Sequence, residues 1–547
     1  MTRWFHVVAI DYDGTLSISP RPDDLVLAAL ARARASGIRV VLVTGRILAE
    51  LRADFPDVDR HVDAIVAENG AVVTHLGGGV RRVAPPVPVP LGDALEAAGV
   101  PIRRGMVLLA TTVEHDEKVL AAVRRLGLEC QLVHNRGALM VLPANVSKGS
   151  GLEEALGDIS VSPHNCVGVG DAENDHSLLD ACEVGVAVQN AIEALKARAD
   201  LVLQKPDGEG IIALLDDVIA GGPAVEPRRW QIDLGRFEDG TPARMPASQV
   251  NVLVHGPSGA GKSYVAGLIA EGLLDLDYTV CVLDLEGDHP GLGERRGVVT
   301  VGGVEGLVPP EHVVRLIRHR LASVVVDLSL EPFETRRAYA RTLFAELLDR
   351  RGDSGLPHWI IVDEAHVPLG LEYTNTPDWL VPRPSGLCLV TFRPECLCEP
   401  AASAHDVGLE VRSRETVILT RPGYPPRAFC PNSRATAHVR HWHKYTAVPT
   451  TESLRFAFRG PGGPTGRTAG HLAEFDAELR AASDSVVRHH AAHADFSRWI
   501  EEVFRDDVLG QTVAAAERQL RAGATPARTR AEVLRALEAR YLDGRTV

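Results

Sequence analysis

Phe5-His-Val-Val-Ala-Ile-Asp-Tyr-Asp-Gly-Thr-Leu16 is the stretch from which the fold is read. An apolar run, Val7 to Ile10, ends in two carboxylates one residue apart, followed at once by Gly14, Thr15 and Leu16. That order predicts a buried strand opening into a loop. Asp11 and Asp13 then sit together at a strand's carboxyl end. A carboxylate pair there can bind Mg²⁺ and divide the work, one attacking phosphorus while the other moves a proton. Asp-x-Asp alone is equally compatible with an acidic turn, and the residues downstream decide between the two.

Strand-like runs and helical patterns alternate after it: a helix from about Asp23 to Ser36, then Val40 to Val43 ending in Thr44-Gly45-Arg46. This predicts an α/β fold with a parallel sheet. In such sheets the ligand site lies beyond the carboxyl ends of the strands, so Asp11, Asp13 and Thr44 share one rim. Thr44 and the amides after it, beginning with Gly45, suit a phosphate oxygen. Further on, Val146-Ser147-Lys148-Gly149 opens a helical pattern, and Cys166 to Gly170 reads as a strand ending in Asp171-Ala-Glu-Asn174-Asp175. Lys148 offers a positive charge to a phosphoryl group, and Asp171 with Asp175 completes an oxygen-rich Mg²⁺ site with Asp11 and Asp13. Arg46 either touches substrate or pairs with a surface acid.

In that order, DYDGTL, VTGR, Lys148 and GDAENDHSLL resemble the four motifs of the haloacid dehalogenase (HAD) superfamily phosphatases, over roughly residues 5 to 215. The AENGA stretch, Ala67 to Ala71, and the long insertion before Lys148 resemble the Cof-type branch, which includes sugar-phosphate phosphatases. The resemblance implies a Rossmann-like core with an inserted α+β cap. It implies Asp11 as the nucleophile forming an aspartyl-phosphate, Asp13 as general acid and base, and Thr44 and Lys148 on the phosphoryl group. Asp171 would hold Mg²⁺, supported by Asn174 and Asp175. The cap is expected at about 70–145, with strands at Ala71 to Thr74, Met106 to Ala110 and Leu139 to Leu142 and a helix from Asp116 to Leu126. A cap excludes water and sets specificity.

Gly221-Gly-Pro-Ala-Val-Glu-Pro227 breaks both periodicities and reads as a linker, so residues 221–249 are taken as linker and lead-in strand. The run Asn251 to His255 then leads into Gly256, Pro257, Ser258, Gly259, Ala260, Gly261, Lys262 and Ser263. This spacing fits a P-loop: glycines expose amides to the phosphates of ATP, Lys262 reaches the β and γ phosphates, and Ser263 coordinates Mg²⁺. His358 to Val362 is an apolar strand ending in Asp363, suited to the Mg²⁺ shell, and Glu364, suited to orienting an attacking water. With the lead-in Ile232 to Gly235, DLEGDH (Asp284 to His289), VDEAH and TFRP (Thr391 to Pro394), the segment resembles the HerA/FtsK-type ATPases over about 228–430. Phe392 stands where that family usually has glutamine. The resemblance implies a P-loop NTPase parallel-sheet domain, hexameric assembly and a neighbouring subunit's arginine, for which Arg393, Arg412 and Arg414 are candidates.

Three or so domains are expected in 547 residues: 1–220, a HAD-type hydrolase; 250–440, the P-loop ATPase; and 441–547, a small helical accessory domain. In the last, His489, Phe496 and Trp499 are expected in the core, and His438, His441 and His443 read as a solvated linker rather than a metal tract. The composition, 45% hydrophobic and 24% charged, is that of a globular chain, and the net charge of −14 gives nucleic-acid binding no support. The eight scattered cysteines read as small buried residues of a reducing compartment. With no long apolar run and no signal-peptide layout, the expectation is a cytoplasmic protein without membrane contact. The functional expectation is Mg²⁺-dependent hydrolysis of a phosphorylated small molecule, a sugar phosphate foremost, with the ATP-binding domain regulating or assembling it. The alternative is an ATP-driven DNA translocase whose first domain processes nucleic-acid phosphates.

Overall fold

The computed structural model describes residues 3–75, 77–222, 225–371, 383–436, 445–446, 449–504 and 506–542. In chain order the first part holds β1 (Val7–Asp11), β2 (Arg39–Val43), β3 (Ala64–Ala67), β4 (Val72–His75) and β5 (Val80–Arg82). Four cap strands follow, β6 (Arg103–Arg104), β7 (Leu109–Thr112), β8 (Cys130–Asn135) and β9 (Ala138–Pro143), then β10 (Cys166–Gly170), β11 (Val184–Ala187) and β12 (Leu201–Val202). The main sheet runs β12-β11-β10-β1-β2-β3-β4-β5 and is parallel from β12 to β3. Every residue of β1 is buried because successive side chains point to opposite, covered faces. Val8 and Ile10 pack with Leu27 and Leu30 of the helix Asp24–Ala35, while Val7 and Ala9 pack with Leu152 and Leu156 of the helix Lys148–Asp158.

The cap is the antiparallel sheet β6-β7-β9-β8 with the helices Val89–Ala97 and Asp116–Leu126, around a small core of its own that includes Leu91, Val119 and Val141. One expected cap strand lies elsewhere. Ala71 to Thr74 falls in β4, which pairs antiparallel with β3 in the main sheet, so the separate cap sheet begins only at Arg103.

The second part adds β13 (Gln231–Phe237), β14 (Pro242–Pro246), β15 (Val252–His255), β16 (Val280–Asp284), β17 (Val298–Gly302), β18 (Ser323–Asp327) and β19 (Trp359–Val362). It is completed by β20 (Leu387–Thr391), β21 (Val407–Ser413), β22 (Thr416–Arg421) and β23 (Tyr424–Pro431). The sheet runs β14-β13-β23-β22-β21-β15-β20-β19-β16-β18-β17, parallel from β21 to β17 and antiparallel beyond. Residues 221–249, expected as linker and lead-in strand, supply two sheet strands, β13 over the lead-in Ile232 to Gly235 and β14 after it.

These two parts share a buried junction. Just before β10, His164 stacks on Tyr278 at 3.7 Å and its Nε2 lies 2.8 Å from the Leu276 carbonyl. Asn165 donates from Nδ2 to the Trp4 carbonyl and meets His358 through Oδ1. Tyr278 lies two residues before β16 and His358 immediately before β19. The amino ends of β10, β16 and β19 thus meet at the junction, and their carboxyl ends point away from it.

The last part is a hairpin, β24 (Phe456–Gly460) and β25 (Gly463–Ala469), packed on helices. Its helices are Leu472–Ala481, Asp484–Ala492, Asp495–Trp499, Asp507–Arg521 and Pro526–Leu537. Phe496 and Trp499 are buried as expected, but His490 takes the core position expected of His489, accepting the Arg459 amide on Nε2. His438, His441 and His443 lie outside the described residues. Among the described residues no helix is long and apolar enough to cross a membrane.

Candidate active site

At the carboxyl ends of β1 and β10, Lys148 joins the two strands. Its Nζ donates to Asp11 Oδ1 at 2.5 Å and to Asp175 Oδ1 at 2.6 Å, and all three side chains are buried. Lys148 arrives there because Ser147 caps its helix, accepting the Ser150 amide in a capping box. The other oxygen of Asp175 accepts the amides of Asp171 and Ala172, which fixes the loop after β10. Thr15 donates to Asp171 Oδ1 at 3.0 Å. Gly14, at φ +84°, is required: a Cβ there would lie 2.6 Å from Asp171 Oδ2.

Burial and the neighbouring Asp175 push the Asp11 carboxyl up to about 7, with Lys148 opposing them. For Lys148 burial acts downward, but Asp11 and Asp175 outweigh it and raise the amine, so it stays charged. Ligand oxygens of Asp11, Asp171 and Asp175 lie within 4.8 Å of one another. An all-oxygen set of three buried carboxylates fits Mg²⁺, whose charge would offset the repulsion that now raises Asp11.

Asp13, expected among the metal ligands, is outside that triad. Its carboxylate is half exposed and held by Arg46, at 2.9 Å from Nε and 2.6 Å from Nη2. It lies two residues past the end of β1, whereas Asp11 is the last residue of the strand and meets Asp171 and Asp175. Arg46 also pairs with Asp54 and lies over the Tyr12 ring, which makes it an ion-paired residue here. Thr44 is buried with Oγ1 accepting the Arg46 amide. Gly45 lies beneath Met140 of the cap and beside Asn174, whose Nδ2 donates to Asn69 Oδ1.

Two residues of this site were given no role from the sequence. Arg136, at the turn between β8 and β9, reaches down from the cap and donates from Nη2 to Asp171 Oδ2. Glu68 is fully buried and accepts the amides of Met106, Val107 and Leu108 at 2.8–3.1 Å, tying the cap's first strand region to the core. The AENGA stretch was the local signal for Glu68. Nothing local marks Arg136.

A second strand-loop-helix stands in the other sheet. Gly256 to Gly261 link β15 to the helix Lys262–Asp275, with Gly259 and Gly261 at φ +80° and +106°. Lys262 Nζ folds back to the Pro257 carbonyl at 3.3 Å. The strand β20 separates β15 from β19, which delivers Asp363 and Glu364 to the same rim. Asp363 is buried against His289 Nε2 at 3.0 Å, and burial together with Asp363 pushes Glu364 up to about 7. Phe392 packs edge-on against His366. Ser263 opens the helix one residue after Lys262.

A Rossmann-like α/β core with buried acids on its carboxyl rim and a cap inserted ahead of the lysine defines a capped hydrolase. The chain belongs to the haloacid dehalogenase-like hydrolase family, whose model matches residues 8–81 and 106–215. A phosphoglycolate phosphatase of Archaeoglobus fulgidus is 32% identical over 220 residues, 38% of this chain and 94% of that protein. One of Pyrobaculum neutrophilum is 34% identical over 231 residues, 40% of this chain and 96% of that protein. A solved subclass IIB sugar phosphatase of the same superfamily aligns with TM-score 0.33 and 22% identity, covering 38% of this chain and 97% of its own.

Proposed function

We propose that the first part is a Mg²⁺-dependent phosphatase of a small phosphorylated metabolite, with Asp11 as nucleophile. What carries this reading is the buried Asp11–Lys148–Asp175–Asp171 cluster on the strand rim. Asp11 attacks phosphorus and forms an aspartyl-phosphate while the substrate's C–O–P oxygen leaves, taking a proton from Asp13. Asp13 then removes a proton from water, which attacks the phosphorus and releases inorganic phosphate and free Asp11. Lys148 holds a phosphoryl oxygen, with Thr44, Gly45 and Asn174 beside it. Mg²⁺, held by Asp11, Asp171 and Asp175, supplies charge to the phosphoryl oxygens. Arg136 is suited to a carboxylate or hydroxyl on the leaving group, because it is the cation that the cap sends into the cluster. This favours a phosphorylated hydroxy acid or sugar over a nucleic-acid end.

With Mg²⁺, the wild type should hydrolyse p-nitrophenyl phosphate and Asp11→Asn should lose at least a hundredfold of that rate. Equal rates would end the assignment. Arg136→Ala should raise KM about tenfold on 2-phosphoglycolate or a hexose phosphate, whichever is the better substrate, and leave p-nitrophenyl phosphate hydrolysis within about twofold.

The second part we read as a nucleotide site that binds ATP and Mg²⁺ through Gly256–Ser263 and Asp363, with Glu364 as the water-orienting base. Its support is the strand-loop-helix, the folded-back Lys262 and the strand order that places Asp363 and Glu364 on its rim. Loss of MgATP binding in Lys262→Ala is the expected result. The translocase alternative requires DNA binding at low salt, where phosphate contacts are strongest.

A further inference from the structure

Both oxygens of Asp171 are taken by side chains. Oδ1 accepts the Thr15 hydroxyl at 3.0 Å, and Oδ2 accepts Nη2 of Arg136. Among the described residues two cations bond to the three buried carboxylates Asp11, Asp171 and Asp175. One, Lys148, belongs to the core and is buried. The other, Arg136, comes from the cap and is half exposed. Arg136 and Gly137 are the two residues of the turn between β8 and β9, and both have positive φ, +45° and +99°. A two-residue hairpin turn of that kind favours Asn, Asp or Gly at its first position, where a long side chain is strained. An arginine stands there, and its side chain reaches down to the acids. It also lies against the nucleophile loop: a Cβ on Gly14 would meet Nη1 at 2.9 Å and Nη2 at 3.0 Å.

We infer that Arg136 and the divalent cation take Asp171 in turn, so that loading the metal lifts the cap's arginine off Oδ2 and hands it to the substrate. The inference rests on the reading of Asp11, Asp171 and Asp175 as the Mg²⁺ ligands. The charge balance favours this exchange. Asp13 is already matched by Arg46. The three buried carboxylates are balanced by Lys148 and a dication, whereas keeping Arg136 on them as well leaves one positive charge in excess. Like charges a few ångströms apart in a buried site repel strongly. Arg136 is the cation able to leave, because it is half exposed and hangs on a hairpin turn, while Lys148 is buried and bonded to two acids. The freed guanidinium stays at the tip of its hairpin, beside the cluster, where an anionic or hydroxyl group of the leaving portion would meet it. Metal binding and substrate anchoring then favour each other, since both draw Arg136 from Asp171.

Mn²⁺, which takes the same oxygen ligands as Mg²⁺, is the probe. Isothermal titration of the full chain with Mn²⁺ is read on the component of binding that Asp171→Asn removes. Arg136→Ala should tighten that component about fivefold or more. Arg136→Gly, which suits the left-handed position and keeps the turn, should match it. Hydrogen exchange across the hairpin at 133–140 separates displacement from a remote charge effect. Adding Mg²⁺ to wild type should speed exchange there about threefold or more, and in Arg136→Ala exchange should be fast with or without the metal. Mn²⁺ affinity in both variants equal to that of wild type would overturn the inference. So would tighter binding together with wild-type hairpin exchange that ignores Mg²⁺, because Arg136 then stays on Asp171 and acts only from a distance. In either case the metal site itself stands. If wild type shows no component that Asp171→Asn removes, the metal-site reading falls and this inference falls with it.

Discussion

Glu68 gathers three cap amides onto one buried carboxylate, and those bonds span 38 to 40 residues of sequence. Charge-assisted bonds of this kind are stronger than neutral ones, and a buried amide left without a partner costs about 1–3 kcal/mol. Glu68→Ala strands Met106, Val107 and Leu108 together, so a loss of about 3–5 kcal/mol is expected in urea denaturation, with Glu68→Gln in between because one oxygen can still accept. A loss under about 1 kcal/mol in Glu68→Ala would show that the cap does not hang from this residue. The same comparison explains what was legible at this scale. Asp11, Thr44, Lys148 and Asp171 each stand at a strand end or helix start that local periodicity marks. Glu68 and Arg136 act on residues 35 or more positions away, and only the tertiary fold brings those partners together.

At the scale of elements, the helix that delivers Lys148 is seated against the short turn Glu68–Gly70. Gly70 has φ +104°, and a Cβ on it would fall 1.9 Å from the Ser147 carbonyl oxygen. Neither side can yield cheaply, since both are backbone and one of them is the cap of the helix. Gly70→Ala is therefore expected to cost about 2–4 kcal/mol and to lower phosphatase kcat, because Lys148 moves with its helix. Unchanged melting and unchanged kcat would refute that dependence. Strand existence was readable along the chain, whereas sheet membership was not. Ala71 to Thr74 reads as a short strand, and nothing in its residues says that it pairs with β3 rather than with the cap. Likewise the lead-in strand at β13 is readable, but nothing local says that it pairs with β23, nearly 200 residues further on.

For the whole molecule, the amino ends of the strands meet at the junction, so the two rims face opposite ways. Each central strand of five residues spans about 16 Å, which separates the two sites by on the order of 35 Å. The two rims have no direct path between them, and any coupling runs through the packed junction of His164, Tyr278, Asn165 and His358. One ring of that junction, His358, is held neutral. His358 Nδ1 accepts the Thr279 amide at 2.8 Å, so its proton is on Nε2, toward Asn165 Oδ1. Burial, with His164, Arg351 and His6 adding repulsion, holds its ring well below the usual histidine range, and burial brings His6 down to about 4. Both folded values lie below the unfolded value near 6.5, so the stability they contribute is fully present above about pH 6.5 and is lost as pH falls from there toward the folded values. At pH 5.5 each of the two should cost about 1 kcal/mol. Melting of the wild type should fall between pH 7.5 and 5.5, and His358→Gln, which can still accept from Thr279 and donate to Asn165, should flatten that dependence. An equally steep dependence in the variant would place the acid-sensitive group away from the junction.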